Sequence, residues 1–254
     1  MALHSIALRA RGLLLPAVLL GGWEWASRQG SSAAYVFVSL ATLGDTLLRL
    51  LASGELWLHV HTSLQRTLSG LGLGAALGIA VGTLMAQSRV ADRLIGPLYH
   101  SLRQVPLLGL IPLLGLWAGQ GDSAKLLVVV LAAFYPTVLN TSEGIRQVEV
   151  RLREVGQLLT LGRMQTFTQV LLPGALPSIL TGFSHALAFS WLACMGGELL
   201  FSAGPGLGAM LLNGETTGQM DQVLLAVLLI ALLAFGMNGL FNRLARRWVR
   251  GPSV

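Results

Sequence analysis

Charge is what this 254-residue sequence has least of. Only 11% of it is Asp, Glu, Lys or Arg, where an ordinary soluble domain carries about 25%. So little charge cannot cover a water-soluble surface, although the length would suffice for one buried core. Lysine is nearly missing, since Lys125 is the only one. A phosphate loop of the form G-x-x-x-x-G-K-[ST] needs its lysine directly after a glycine, and Lys125 follows Ala124. The chain therefore carries no such nucleotide cradle. Cysteine is as scarce. Cys194 stands alone in the apolar run WLACMGG, which excludes an intrachain disulfide and suits a small packed side chain. The short alternating segments of a membrane β-barrel are absent too. So is the G-x-S-x-G elbow of a serine hydrolase, and His185 and Ser190 stand five apart, poorly spaced for contact on one helix. His59 and His61 form an H-x-H pair with no further ligand nearby, so they read as interfacial histidines and no metal is expected.

What is present is apolar and arranged in blocks. Hydrophobic residues make up 54% of the chain, with 31 glycines. An apolar helix needs about 20 residues to cross the hydrocarbon of a bilayer. Such blocks predict an all-α polytopic membrane protein, one transmembrane domain over 1–254, with about six spans at 12–26, 64–86, 97–118, 124–140, 179–200 and 223–241. The first follows Arg9 and Arg11 as a signal peptide would. Glu24 between Trp23 and Trp25, without a small-residue cleavage site, favours a retained helix with an interfacial aromatic end. TLGDTLLRLLASGELWLHV has helical periodicity with Asp45, Arg49 and Glu55 on its polar side, and predicts an amphipathic helix at the membrane interface. In the second span Gly70, Gly74, Gly78 and Gly82 recur every four residues, one stripe on which another helix backbone can approach closely. Pro106 and Pro112 interrupt the third span, and such breaks survive in a membrane where protein or a water-lined cavity satisfies the freed carbonyls.

The net charge of +6 lies between and after the apolar blocks, as membrane flanks do. That distribution points to lipid and excludes nucleic acid as the partner. Six spans place both termini on one side. With the N-terminus inside, thirteen of the seventeen basic residues are cytoplasmic: Arg9, Arg11, Arg89, Arg93, Arg103, Arg146, Arg151, Arg153, Arg163, Arg243, Arg246, Arg247 and Arg250. Only Arg28, Arg49, Arg66 and Lys125 fall elsewhere. The positive-inside rule then selects cytoplasmic N- and C-termini.

Residues 141–177 become the longest cytoplasmic loop. Glu143, Glu149 and Glu154 stand among its arginines, while Leu158, Leu159, Leu161, Met164 and Phe167 supply an apolar face at helical spacing. Pro173 and Pro177 are expected to stop that helix before the fifth span. A short amphipathic helix anchored on both sides to membrane helices can seat its exposed face in a partner's groove and pass the partner's movement to the bundle.

This stretch resembles the cytoplasmic "EAA" loop of binding-protein-dependent ABC importer permeases. The pattern there is Glu-Ala-Ala, three residues, Gly, nine residues, Ile-x-Leu-Pro. Glu154 lies nineteen positions before Pro173, with Val170 in the Ile place and Leu172 in the Leu place. Val155 and Gly156 stand where Ala-Ala would be, and Thr160 stands at the glycine position, with Gly162 two residues later. The resemblance covers nearly the whole chain and is nearest the sulfonate, taurine and nitrate permeases. Its agreeing blocks are Trp23-Glu24, SGELW at 53–57, the glycine stripe, LRQVPLLGLIPLLGLWAGQGDSAK from Leu102, FYPTVLNTSEGIR, LPGALPSILTGF and the SWL…GGE segment ending at Glu198. It implies a type I ABC importer permease fold in a bacterial cytoplasmic membrane. It implies a homodimeric channel, two cytoplasmic ATPase subunits that grip the coupling loops and hold the ATP and Mg, and an extracytoplasmic solute-binding protein. This chain would bind no cofactor and catalyse nothing itself. A small anionic solute, aliphatic sulfonate first, is the expected cargo.

Polar residues inside a span are costly and mark pathways by default. Ser190, Trp191 and Glu198 in the fifth span, with Pro106 in the third, are the pathway candidates; Glu198 reaches either the pathway or interfacial water. An ion-coupled secondary transporter or channel is the alternative. It would call for inverted repeats and several buried acids, and the spans hold few acids and no visible repeat.

Overall fold

The computed structural model describes residues 18–29, 37–201 and 204–249. Described residues are helical or in short turns, in keeping with the all-α expectation. Among the described residues four helices are long and apolar enough to cross a membrane, or up to five spans if one bent pair counts as one. Of the first expected span, 12–26, only 18–26 lies within the described residues, in helix α1 (18–27); the rest lies outside them. The Trp23 indole N–H donates to the Val38 carbonyl at 2.9 Å, and the Glu24 carboxylate accepts from the Leu40 amide at 3.0 Å, so α1 is tied to the next helix.

That next helix, α2 (Leu40–Ser53), is capped by Ser39, whose hydroxyl accepts from the Thr42 amide at 3.2 Å. It buries Leu43, Thr46 and Leu50 on one face. Gly54, at φ 79°, ends it in the left-handed region. The amphipathic helix therefore stops before Glu55, and 55–60 belong to the membrane helix α3 (Glu55–Gln87), a correction to the sequence expectation. The sequence has helical periodicity on both sides of Gly54, so only the turn divides it.

α6 (Asp122–Arg146) is the central element, packed between α3 and the helix Arg163–Leu200, here α8. Along α3, Gly70, Gly74, Gly78 and Gly82 meet α6 without side chains between them. A Cβ on Gly70 would fall 2.5 Å from Val129 Cγ1, one on Gly82 would fall 2.7 Å from the Val138 carbonyl, and one on Gly74 would run into the Val130 carbonyl. The third expected span is not one rod. It is α4 (Arg89–Leu102) and α5 (Leu107–Ala118), which meet at 103° across a four-residue break that ends at Pro106. Pro106 takes an extended backbone and offers no N–H to continue the ladder. Pro112 stays inside α5.

The remaining helices are α7 (Val150–Leu158), α9 (Leu207–Thr217) and α10 (Met220–Val249). The sequence reading assigned nothing to α9. It packs on α8 and α10 between glycine-rich turns, too short and too mixed to announce itself as a span. On the same end of the bundle the Thr46 hydroxyl donates to Asp221 at 2.6 Å and Arg49 pairs with Asp221 at 3.4 Å, joining α2 to α10.

Candidate functional site

The loop between α6 and α8 is a helix presented on rigid supports. α7 leaves its apolar side chains in the open: Leu158 is 82% exposed, and Val150, Val155, Leu159 and, beyond the turn, Met164 are also exposed. Glu154 is exposed on the same helix. Gly156 is the buried residue of α7, facing Val170, Leu161 and Thr166. The helix ends at Thr160, a non-glycine residue at φ 51°. The Leu161 amide reaches back to the Gly156 carbonyl at 3.1 Å and the Thr160 amide to the Gln157 carbonyl at 2.9 Å. These two bonds are the paired closures of a Schellman cap, whose left-handed position usually carries glycine. Gly162 then opens α8: its amide donates to the Gln165 side chain at 2.9 Å and its carbonyl accepts from the Thr166 amide at 2.8 Å.

Pro173 and Pro177 do not end this helix before the membrane. α8 runs unbroken for 38 residues from Arg163 to Leu200. Phe167–Leu171, which includes Val170, forms one π-helical turn, and the Leu172 amide bonds the Phe167 carbonyl five residues back. A proline in a helix interior clashes with the carbonyl four residues before it. The wider turn just ahead of Pro173 relieves that crowding, so the prolines shape the helix rather than stop it.

Arg153 ties α7 to the end of α6 by two contacts. The Arg153 guanidinium donates to the Ile145 carbonyl at 2.6 Å and the Arg146 carbonyl at 3.1 Å. Arg146 in turn donates to the Met85 carbonyl at 3.0 Å and pairs with Asp92 at 2.6 Å, reaching α3 and α4. Beneath them Ile145, Val148, Ala175 and Ile179 form an apolar cluster, with Leu172 packed on it. Through these contacts α7 is joined to α3, α4, α6 and α8.

At mid-height a cleft of about 910 Å³ opens between the α4–α5 bend, the middle of α6 and the middle of α8. Arg103, Pro106, Tyr135, Asn140 and His185 are on its walls. Of the four pathway candidates only Pro106 lines it. The Ser190 side chain is fully buried. The Trp191 indole donates to the Ile230 carbonyl of α10 at 3.2 Å and packs in a core with Cys194 and Leu225.

Glu198 lies elsewhere again, fully buried at the end of the bundle opposite α7. It is ion-paired with buried Arg66 of α3. It also accepts from the Ser63 hydroxyl at 2.9 Å and the Gly208 amide at 2.9 Å. Arg66 also pairs with Asp122 at 2.7 Å, and Lys125 is buried beside them. Side chains at Gly206 or Gly208 would strike Glu198, so the turn into α9 is glycine because the carboxylate sits against it. His59 holds the same turn, accepting from the Gly206 amide at 3.0 Å. Glu198 lies 132 residues from Arg66 and 135 from Ser63, and no local pattern announces such partners. Among the described residues no group of three or more His, Cys, Asp or Glu is arranged to hold a metal ion.

A family model described as binding-protein-dependent transport system inner membrane component matches residues 74–250. The chain is 35% identical over 237 residues to the aliphatic sulfonates transport permease protein SsuC of Bacillus subtilis, covering 93% of this chain and 85% of that one. It is 36% identical over 243 residues to the Escherichia coli SsuC, covering 96% and 92%. To the E. coli taurine transport system permease protein TauC it is 36% identical over 194 residues, covering 74% and 70%. In fold it is similar to a chain of the MetNI methionine ABC transporter in an inward-facing conformation, with TM-score 0.65, 19% identity and coverage of 81% and 99%.

Proposed function

The chain belongs to the binding-protein-dependent transport system inner membrane components, a multi-pass permease of the ABC importer class, and from that premise we propose that it carries small organosulfonates inward as one half of a homodimeric channel. The observation that carries this reading is the exposed apolar face of α7, held on the Arg153 and Arg146 contacts. An apolar helix face projecting from a membrane bundle suits a groove on a soluble partner. That partner is the cytoplasmic ATPase subunit, which holds the ATP and Mg; this chain has no phosphate loop of its own. Glu154 and Val155 lie on the surface offered to it, Thr160 and Gly162 set the turn behind it, and Val170, Leu172 and Pro173 join it to α8.

The N- and C-termini are cytoplasmic in this reading. Arg103 belongs to the cleft rather than to a flank, and twelve basic residues still favour that side. Glu198 and α9 then face the extracytoplasmic solute-binding protein. The second permease copy covers Leu116 and Trp117, which are exposed along α5; an exposed apolar patch of that kind marks a protein or lipid contact. The sulfonate class is taken from the names of the two SsuC relatives, with taurine, itself a sulfonate, beside it.

The test is cross-linking of Leu158→Cys, in a Cys194→Ala background, to single cysteines on the ATPase subunit. A link that forms in the assembled transporter and shifts on ATP addition supports the reading. Absence of any link while the complex co-purifies would remove α7 as the contact.

A further inference from the structure

The cleft contains one feature that a passage for neutral solutes would not need. Arg103 stands on its wall, yet it is nowhere near the end of the bundle. Tyr99, one helical turn earlier, donates its hydroxyl to the Tyr135 carbonyl at 2.7 Å. Tyr135 lies eleven residues from the Arg146 end of α6, about 16 Å at 1.5 Å per residue. Arg103 is therefore near mid-depth of a helix that spans the membrane.

A guanidinium at that depth is expensive unless it faces water or a partner, and such residues face cavities and mark ion or substrate pathways. Arg103 is exposed to the cleft, and its head lies beside the Tyr99 phenol. Among the described residues it enters no ion pair, whereas Arg28, Arg49, Arg66 and Arg146 each have a carboxylate. No Asp or Glu lines the cleft. Its other polar walls, Gln104, Asn140 and His185, are uncharged donors or an imidazole, and the remainder is largely apolar. The chemistry of the walls is one-sided: a cation, polar donors and apolar side chains, with no carboxylate among them.

We infer that this cleft is a transit site for the anionic head of the solute, with Arg103 as its charge-selecting residue and the apolar walls taking the alkyl part. A sulfonate offers three oxygens to a planar fork of donors, a geometry that guanidinium meets and ammonium meets less well. The occupant is a small organic monoanion. The inference rests on the importer reading above and deepens it, because it names the residue of this chain that meets the solute's charge. Here the permease also tests the charge, so a neutral solute that slipped past the binding protein would lack a partner in the cleft.

The experiment is ATP-driven uptake of labelled ethanesulfonate into proteoliposomes holding the full complex, with ATP hydrolysis measured in parallel. Wild type, Arg103→Gln and Arg103→Lys are compared. With Arg103→Gln, uptake falls by about tenfold or more, the loss of one charge-assisted contact. Hydrolysis stimulated by the loaded binding protein continues, so the ATP spent per sulfonate moved rises. Arg103→Lys recovers part of the uptake. Unchanged uptake with Arg103→Gln overturns the inference. So does a joint loss of uptake and stimulated hydrolysis that lysine does not relieve, which would make Arg103 structural. Failure of the wild-type complex to take up ethanesulfonate with ATP present would instead strike the importer reading itself.

Discussion

Thr160 closes the coupling helix in a backbone region that β-branched residues avoid. Its φ of 51° puts its Cβ against its own backbone, which costs about 1–3 kcal/mol. The cap hydrogen bonds from Leu161 and Thr160 hold it there. Thr160→Gly should therefore raise the thermal midpoint of the purified protein, by the equivalent of about 1 kcal/mol; a lower midpoint would contradict the left-handed assignment. Gly156 offers a second test. A Cβ there meets Val170 Cγ2 at 3.5 Å, an ordinary contact, so Gly156→Ala should stabilise α7 by about 0.5–1 kcal/mol in the same assay. Glu198 runs the other way. Replacing it with Ala leaves buried Arg66 with exposed Asp122 as its remaining acid, and breaking a buried pair costs about 3–5 kcal/mol. A midpoint unchanged in Glu198→Ala would refute the pair as a structural tie. These residues differ in how far the sequence disclosed them. The exposed helix that carries Glu154 was legible, because the loop's apolar residues recur at helical spacing among charged ones. Thr160 was not, since threonine argues against the conformation it takes. The partners of Glu198 were hidden because sequence distance says nothing of contact across 132 residues.

At the scale of elements, periodicity carried the reading wherever one helix met another along its length. The every-fourth glycines of α3 lie against Val129, Ala133, Thr137 and Thr141 of α6. Gly74→Leu would drive a side chain into the Val130 carbonyl, which is backbone and cannot step aside. Overpacking of this kind costs about 1–3 kcal/mol or more, so the variant should lose its monodisperse elution in mild detergent. Normal elution and an unchanged midpoint would show that α3 and α6 have room to part. Breaks were harder to see than faces. Pro106 marked a disturbance in the third span, yet the 103° bend depends on what α4 and α5 pack against. Pro173 looked like a stop, and a single π turn made it a passage. Gly54 separated two helices whose periodicity ran on through it. Composition names a helix, while its ends and bends are decided by neighbours that lie elsewhere in the chain.

For the whole molecule the account is mechanical. In the proposed function α7 offers its exposed apolar face to the ATPase, Arg153 and Arg146 join it to the bundle, and the cleft lies between the α4–α5 bend and the middles of α6 and α8. The far end is fastened by Glu198, Arg66 and Ser63. The class of protein was legible from what the sequence lacks, because a chain so poor in charge has to meet lipid. The class of cargo came with the resemblance to sulfonate permeases, whereas of the cleft the sequence announced only Pro106, because Arg103 reads there as one more basic flank. The central claim is that ATP spent on α7 drives the solute across. Its most direct measurement is uptake of labelled ethanesulfonate into proteoliposomes of the full complex, with all ion gradients collapsed, comparing wild type with Leu158→Asp. The account predicts uptake in the wild type only when ATP is supplied, and a fall of about tenfold or more in Leu158→Asp, as for loss of an apolar anchor at an interface. Uptake that continues without ATP, or that Leu158→Asp leaves untouched, would contradict it.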